Sequence, residues 1–213
     1  MNGLERIRRA LKRQEPDCVP HFESNINPRV REAIRPGASY EDFIEYMGND
    51  AISISDKVYA QRYIPVDESK RIYRDHWGAL DRFTEETAPI PFDFAIKSPA
   101  DLEKYVPPDP DLDFRYDQLR RTVKRFKGER AIFCGVTDPF DIVKDNLRGD
   151  IALFTDMIRN PDLVHRLAKI VLDYQLRYVK NCHELGADFF FINGDYAVTT
   201  GPMVSPKMAG EFL

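Results

Sequence analysis

Apolar positions in this chain recur with two rhythms, one helical and one extended. Over residues 3–14, Leu4, Ile7, Ala10 and Leu11 return every three or four positions among charges, which predicts a helix with one apolar stripe. Pro16 ends it, and 18–23 reads as a short strand. Helices are predicted at 28–34 and 40–47, parted by Pro36-Gly37, and a strand at 51–55. Residues 59–83 are less regular and read as short strands or a hairpin excursion. The stretch 84–112 is rich in proline and holds one short helix at 99–105, with Ser98 as its N-cap.

From Phe114 the pattern is cleaner. A helix runs to about Lys127 and stops at Gly128. Residues 131–135 form a strand without alternation, as expected where both faces of a parallel sheet are covered. Helices follow at 140–147, 151–159 and 161–185, then a second wholly apolar strand at 188–192. A loop at 193–204 leads to a capped helix start at Ser205-Pro206. Strands alternating with long helices predict parallel βα units and an α/β fold. About four barrel-type strands are legible, whereas a closed (β/α)8 barrel has eight in about 250 residues. The final residues, 207–213, also break off within a predicted helix. The pattern alone leaves two readings, part of a larger barrel or a small complete α/β domain ending in a helix.

Composition narrows the class. With 31 Lys+Arg against 35 Asp+Glu, the net charge of -4 gives no electrostatic footprint for nucleic acid or anionic lipid. No segment has the apolar length of a membrane span, and the charged start lacks the apolar core of a secretory signal. Cys18, Cys134 and Cys182 are far apart and form no CxxC, so a reducing cytoplasmic setting is expected.

Five segments then carry a resemblance. They are Arg6-Ile-Arg-Arg-Ala-Leu with Pro16-Asp-Cys-Val-Pro20; Asp50-Ala-Ile-Ser-Ile-Ser-Asp56; Trp77-Gly78 with Asp101-Leu-Glu-Lys-Tyr105; Gly135-Val-Thr-Asp-Pro139-Phe140 through Leu147-Arg-Gly149; and Gly186-Ala-Asp188 to Ser205-Pro206. In this order they resemble the uroporphyrinogen decarboxylase superfamily, which includes methylcobamide:thiol methyltransferases. The resemblance implies a TIM (β/α)8 barrel. Residues 1–213 would be a single domain forming its N-terminal portion, the first half or slightly more of an incomplete barrel.

Sites in such barrels gather where strands end. Asp56 follows the 51–55 strand and matches the family's mouth aspartate, an acceptor suited to pyrrole N–H groups. Asp195 and Asn193 follow the 188–192 strand, and Asp138 follows the 131–135 strand. The resemblance makes Asp56 and Asp195 catalytic candidates. Asn193, Asp138, His21, Glu23, Trp77, Arg29 and Arg31 become candidate substrate contacts. Each has a plainer alternative: helix caps for Asp56 and Asp138, a turn for Asn193-Gly-Asp195, packing for Trp77.

Two departures from the decarboxylase pattern decide the order of readings. The family's Arg-x-x-Gly-Arg stretch, which neutralises an octacarboxylate, is replaced by Phe22–Arg31 without a glycine, and Asp145 stands where a catalytic tyrosine is expected. The first reading is therefore methyl transfer from a methylated corrinoid to a thiol, with zinc and a corrinoid as cofactors. No metal ligands are expected within this chain, and the His-x-Cys and distant Cys of that branch are expected beyond residue 213. The second reading is a cofactor-free porphyrinogen decarboxylase in porphyrin biosynthesis, and the third is a non-catalytic tetrapyrrole-binding barrel. Expected partners are a tetrapyrrole or methylated corrinoid, a corrinoid carrier protein and a second copy in a homodimer. Nucleic acid and membrane are not expected.

Overall fold

Asn2 starts the first helix by accepting a hydrogen bond from Glu5 N at 2.9 Å, and α1 (Gly3–Leu11) turns Leu4 and Ile7 inward. The computed structural model describes residues 1–55, 63–85 and 89–213. Asp56 lies outside the described residues. Helix α1 stops one turn before the sequence-predicted end, where Arg13 takes a left-handed φ of 56°.

Residues 18–23 form no strand. Pro20 has no N–H to give a ladder. His21 does reach the neighbouring strand, its carbonyl accepting from Asp50 N at 2.7 Å, but its own N–H is taken by the Asp50 carboxylate at 2.8 Å. Helices α2 (Pro28–Ile34) and α3 (Tyr40–Tyr46) start at the side-chain caps Asn27 and Ser39. Strand β1 (Ala51–Ser55) follows as predicted.

The irregular stretch becomes a four-stranded antiparallel meander of β2 (Ile64–Asp67), β3 (Ile72–Arg74), β4 (Leu80–Arg82) and β5 (Ile90–Asp93). Strand β5 sits inside the proline-rich segment, where the sequence pattern predicts none. Pro91 is tolerated because β5 is an edge strand. Next come α4 (Pro99–Leu102), with the Ser98–Asp101 capping box, α5 (Asp117–Phe126) and β6 (Ala131–Thr137). Helix α6 (Pro139–Ile142) runs into a π-helical segment, Val143–Arg148, and then α7 (Asp150–Arg159) and α8 (Pro161–Glu184). Strand β7 (Phe189–Asn193) follows, then a small hairpin of β8 (Ala197–Val198) and β9 (Gly201–Pro202), and α9 (Pro206–Phe212).

The parallel sheet has the order β1-β6-β7. Ala51 lies opposite Ala131 and Ser55 opposite Gly135. Bonds from Asp188 N to Ile132 O and from Asp138 N to Asn193 O keep β7 parallel to β6. Burial on both faces explains the apolar run of β6, whereas β7 passes from half-buried Phe189 to exposed Phe191 and Ile192.

The chain divides into two interleaved compact units. The first comprises Met1–Lys57, Asp111–Val136 and Tyr178–Phe191. Its core packs Leu4, Ile7, Ala51, Ala131 and Phe133, with Phe22 and Phe189 stacked on Phe133 at 5.0 Å each. Arg6 ties it together by bonding Asp17 at 2.6 Å and the buried Asp50 at 2.8 Å.

The second unit comprises Val58–Pro110, Thr137–Arg177 and Ile192–Leu213. Trp77 is buried in its core, edge-on to Tyr174 at 4.9 Å. Arg148 bridges Asp156 at 2.7 Å and the carbonyls of Ile96 and Lys97. Among the described residues no helix is long and apolar enough to cross a membrane.

Asp75 gives this unit a pH response. Burial first, against hydrogen bonds from Asn146, Ala79, Gly78 and Trp77, raises its carboxyl from 3.8 to about 6. Folding thus favours the protonated acid. Its stabilisation is present below pH about 4 and is lost as pH rises through about 6. The shift corresponds to roughly 3 kcal/mol. Asn146 Oδ1 is buried without a partner, so a flipped Asn146 amide could accept from an amide at position 75. Asp75→Asn is expected to be more stable than the wild type at neutral pH, by up to that amount, and to lose the advantage on acidification. Urea midpoints of both proteins across this pH range measure the difference. An advantage that does not change with pH would contradict it.

Candidate functional site

The loop that leaves β7 is held against the start of α6 by a network of charged and polar groups, all within the second unit. Asp138 caps α6, with Pro139 fitting the first helical position. Its Oδ1 accepts from Asp141 N at 3.0 Å and its Oδ2 from Tyr196 Oη at 2.5 Å. Its backbone N–H donates to Asn193 O at 3.0 Å. One residue thereby fixes both the helix start and the loop.

Asp141 forms a second clamp. It is 2% exposed, its Oδ1 accepts from Lys144 Nζ at 2.8 Å, and its Oδ2 accepts from Asp195 N at 2.9 Å. Lys144 also reaches Asp195 O at 3.4 Å and lies 5.5 Å from the centre of the Phe140 ring. Burial works against the ammonium charge, but the hydrogen bond to Asp141 and the nearby Asp145 and Asp195 carboxylates win, and the Lys144 pKa is raised. The Tyr196 hydroxyl is pushed up to about 12, first by burial and then by its bond to Asp138.

Gly194 makes this approach possible. A Cβ there would overlap Asp138 Oδ2 and come within 2.6 Å of Tyr196 Oη. The requirement is for space, since only hydrogen fits between the loop and the carboxylate.

Beside the network is a half-open cavity of about 290 Å³. Pro91, Phe94, Phe154, Val198 and Met203 form its apolar walls, and Lys144, Asp145 and Asp150 its charged wall. The wide π turn brings the sequence neighbours Lys144 and Asp145 to the same wall. Phe94 is seated over Gly149, where a Cβ would lie 2.5 Å from its ring and where φ is 80°.

Of the sequence-derived candidates, Asp138, Asn193 and Asp195 come together in this network. Asp195 is exposed and held by both backbone groups, so its carboxylate is presented outward from a fixed position. Asn193 contributes its carbonyl. Trp77 belongs to the same unit but lies in its packed interior, 2% exposed, with its carbonyl accepting from Tyr105 Oη.

His21, Glu23, Arg29 and Arg31 belong to the first unit. His21 Nε2 is 3.6 Å from Glu23 Oε1, both side chains being about half exposed (52% and 56%). Arg29 is exposed and Arg31 half-buried on α2. Among the described residues no group of three or more His, Cys, Asp or Glu side chains is arranged to hold a metal ion.

Sequence reasoning misses Asp141, Lys144, Gly194 and Tyr196. Asp141 and Lys144 stand three apart on a predicted helix, a spacing that usually marks a solvated pair. The Asn193-Gly-Asp195 run supplies two of the sequence candidates, but Gly194 between them is legible there only as a turn residue.

Residues 78–213 match the family described as uroporphyrinogen decarboxylase (URO-D). A methyltransferase from Methanosarcina mazei has a similar structure, with a TM-score of 0.69 at 16% identity. The superposition covers 100% of this chain and 64% of the methyltransferase, so the chain spans less than two thirds of that protein's length. No curated protein matches by sequence.

Proposed function

Because the chain belongs to the uroporphyrinogen decarboxylase family, whose sequence match covers 78–213, we propose that it is the barrel portion of an enzyme that binds a corrinoid and serves methyl transfer to a thiol. The observation that carries this reading is the charge of the site. Asp138, Asp141, Asp145, Asp150 and Asp195 gather around the Lys144 ammonium. A surface of that sign repels a porphyrinogen bearing eight carboxylates. It suits a corrinoid, whose edge carries neutral carboxamides able both to donate to carboxylates and to accept from an ammonium.

A bound methylated corrinoid would supply the methyl group that the thiol accepts. In this reading Asp195 is the carboxylate that takes the thiol proton, and Asp56, which follows β1 in the sequence, is a second acceptor. The described residues do not offer a zinc site, and no step here depends on one.

The test is incubation of the protein with methylcobalamin and a small thiol, following loss of the methylcobalamin spectrum and formation of the methyl thioether. Asp195→Asn and Asp56→Asn are each expected to slow transfer by about 10²-fold, the scale of a lost general base. Release of CO2 from uroporphyrinogen with no methyl transfer would replace this reading with decarboxylation.

A further inference from the structure

The meander of the second unit has two unlike faces. Tyr73, Asp81 and Pro91 stand in register across β3, β4 and β5, and this row turns inward: Asp81 is buried and Pro91 lines the cavity. Residues one step along each strand point the other way. There Ile64 lies opposite Arg74 and Ile90 opposite Arg82, whose guanidinium sits 5.0 Å from the centre of the Phe92 ring. Ile64, Ile90 and Phe92 are 63%, 51% and 43% exposed, and both arginines are exposed.

Among the described residues neither arginine meets a carboxylate. Arg74 donates to Gly78 O at 2.9 Å, and Arg82 rests on the Phe92 ring. The nearby acids are engaged elsewhere: Asp93 with Lys97 at 2.7 Å, Asp67 with Lys70 at 3.0 Å and Glu85 with Arg71 at 2.8 Å. We propose that this outer face docks a partner protein through an amphipathic helix whose apolar stripe is flanked by two carboxylates one turn apart. Arg74 and Arg82 are diagonal neighbours on β3 and β4, a spacing of about 7–8 Å. Carboxylates at i and i+4 on a helix stand about 5–6 Å apart, and the long arginine side chains close the difference. This inference is independent of the corrinoid reading.

Other occupants fit less well. Both edge strands carry a proline, Pro65 in β2 and Pro91 in β5, so the sheet is blunted against a further strand and offers its face instead. A second copy related by a two-fold axis would set Arg74 and Arg82 against their own like. A flat anionic membrane would also meet Asp67, Glu68 and Asp93 at the ends of the edge strands, in a chain of net charge -4. A helix, about 10 Å across, covers β3 and β4 between Ile64 and Ile90 and leaves those ends clear.

The probe is a fluorescein-labelled helical peptide of about 18 residues, with leucines along one face and glutamates at i and i+4 beside them. It is compared with the same peptide carrying glutamine or lysine at those two positions. Fluorescence anisotropy is expected to show the glutamate peptide binding about tenfold more tightly than the glutamine peptide, the scale of two partly exposed ion pairs, and high salt should erase the difference. Arg74→Glu/Arg82→Glu, with unchanged melting as its control, should reverse the order and make the lysine peptide the tightest of the three. If that variant melts lower, Arg74→Gln/Arg82→Gln takes its place and should bring the glutamate and glutamine peptides within about twofold. Phe92→Ser should weaken every peptide.

Equal affinity of the wild type for the glutamate and glutamine peptides, an order that the double variant leaves unchanged, or no binding of any peptide overturns the proposal. Binding to phosphatidylserine vesicles without binding to the peptides replaces the helix with a membrane. A dimer in sedimentation that Phe92→Ser dissolves, again without peptide binding, replaces it with a second copy.

Discussion

Asp141→Ala is expected to cost about 3 kcal/mol, the low end for a broken buried ion pair because Lys144 also borders the cavity. The variant strands Lys144, which is 7% exposed, without its closest counter-charge, and it releases Asp195 N from its acceptor. Removing both charges should be far milder. Asp141→Ala/Lys144→Met leaves an apolar patch beside Phe140, and most of the loss should return. Denaturant midpoints for the two single variants and the double variant form the cycle. If the double variant is as unstable as the sum of the singles, the two groups are not coupled and the clamp is misassigned.

The second large effect is expected from Gly194→Ala. One added methyl must displace either the Asp138 carboxylate or the loop, because the space is already filled by Asp138 Oδ2 and Tyr196 Oη. Overpacking of this kind costs about 1–3 kcal/mol. The more specific consequence is electrostatic. With the Asp138 bond broken and the ring more exposed, the Tyr196 hydroxyl should fall from about 12 toward its ordinary value of 10. A spectrophotometric titration, with Tyr196→Phe as the blank for the remaining tyrosines, would show one phenol ionising earlier. If the titration does not change, the loop is not held by this contact.

The βα half of the fold is legible in the sequence because β6 and β7 are compact apolar runs, β6 buried on both faces, and those helices have clear stops at Gly128 and Gly186. Residues 18–23 are misread as a strand because an apolar run says nothing of where its N–H groups go, and Pro20 has none. Strand β5 is missed because Pro91 argues against any strand that is not at an edge, and edge position is a property of the assembled sheet. At the site, strand-end logic finds Asp138, Asn193 and Asp195. Asp141 and Lys144 escape because a charged pair in a helix looks the same in sequence whether it is solvated or buried. Gly194 escapes for a related reason: a glycine that yields space to another segment has the same letter as one that only turns the chain.

The interleaving of the two units has a consequence for biosynthesis. Ala51 finds its β-partner in Ala131, about 80 residues later, and the first unit needs Tyr178–Phe191 before it is whole. At the usual pace of translation the first of these waits lasts roughly 4 to 16 seconds, during which β1 has no neighbour to zip to. An unpaired, apolar strand emerging from the ribosome is a template for aggregation. This protein should therefore depend on ribosome-associated chaperones early in synthesis, and slowing the ribosome between codons 55 and 131 should lower its soluble yield more than the same pause placed after codon 191.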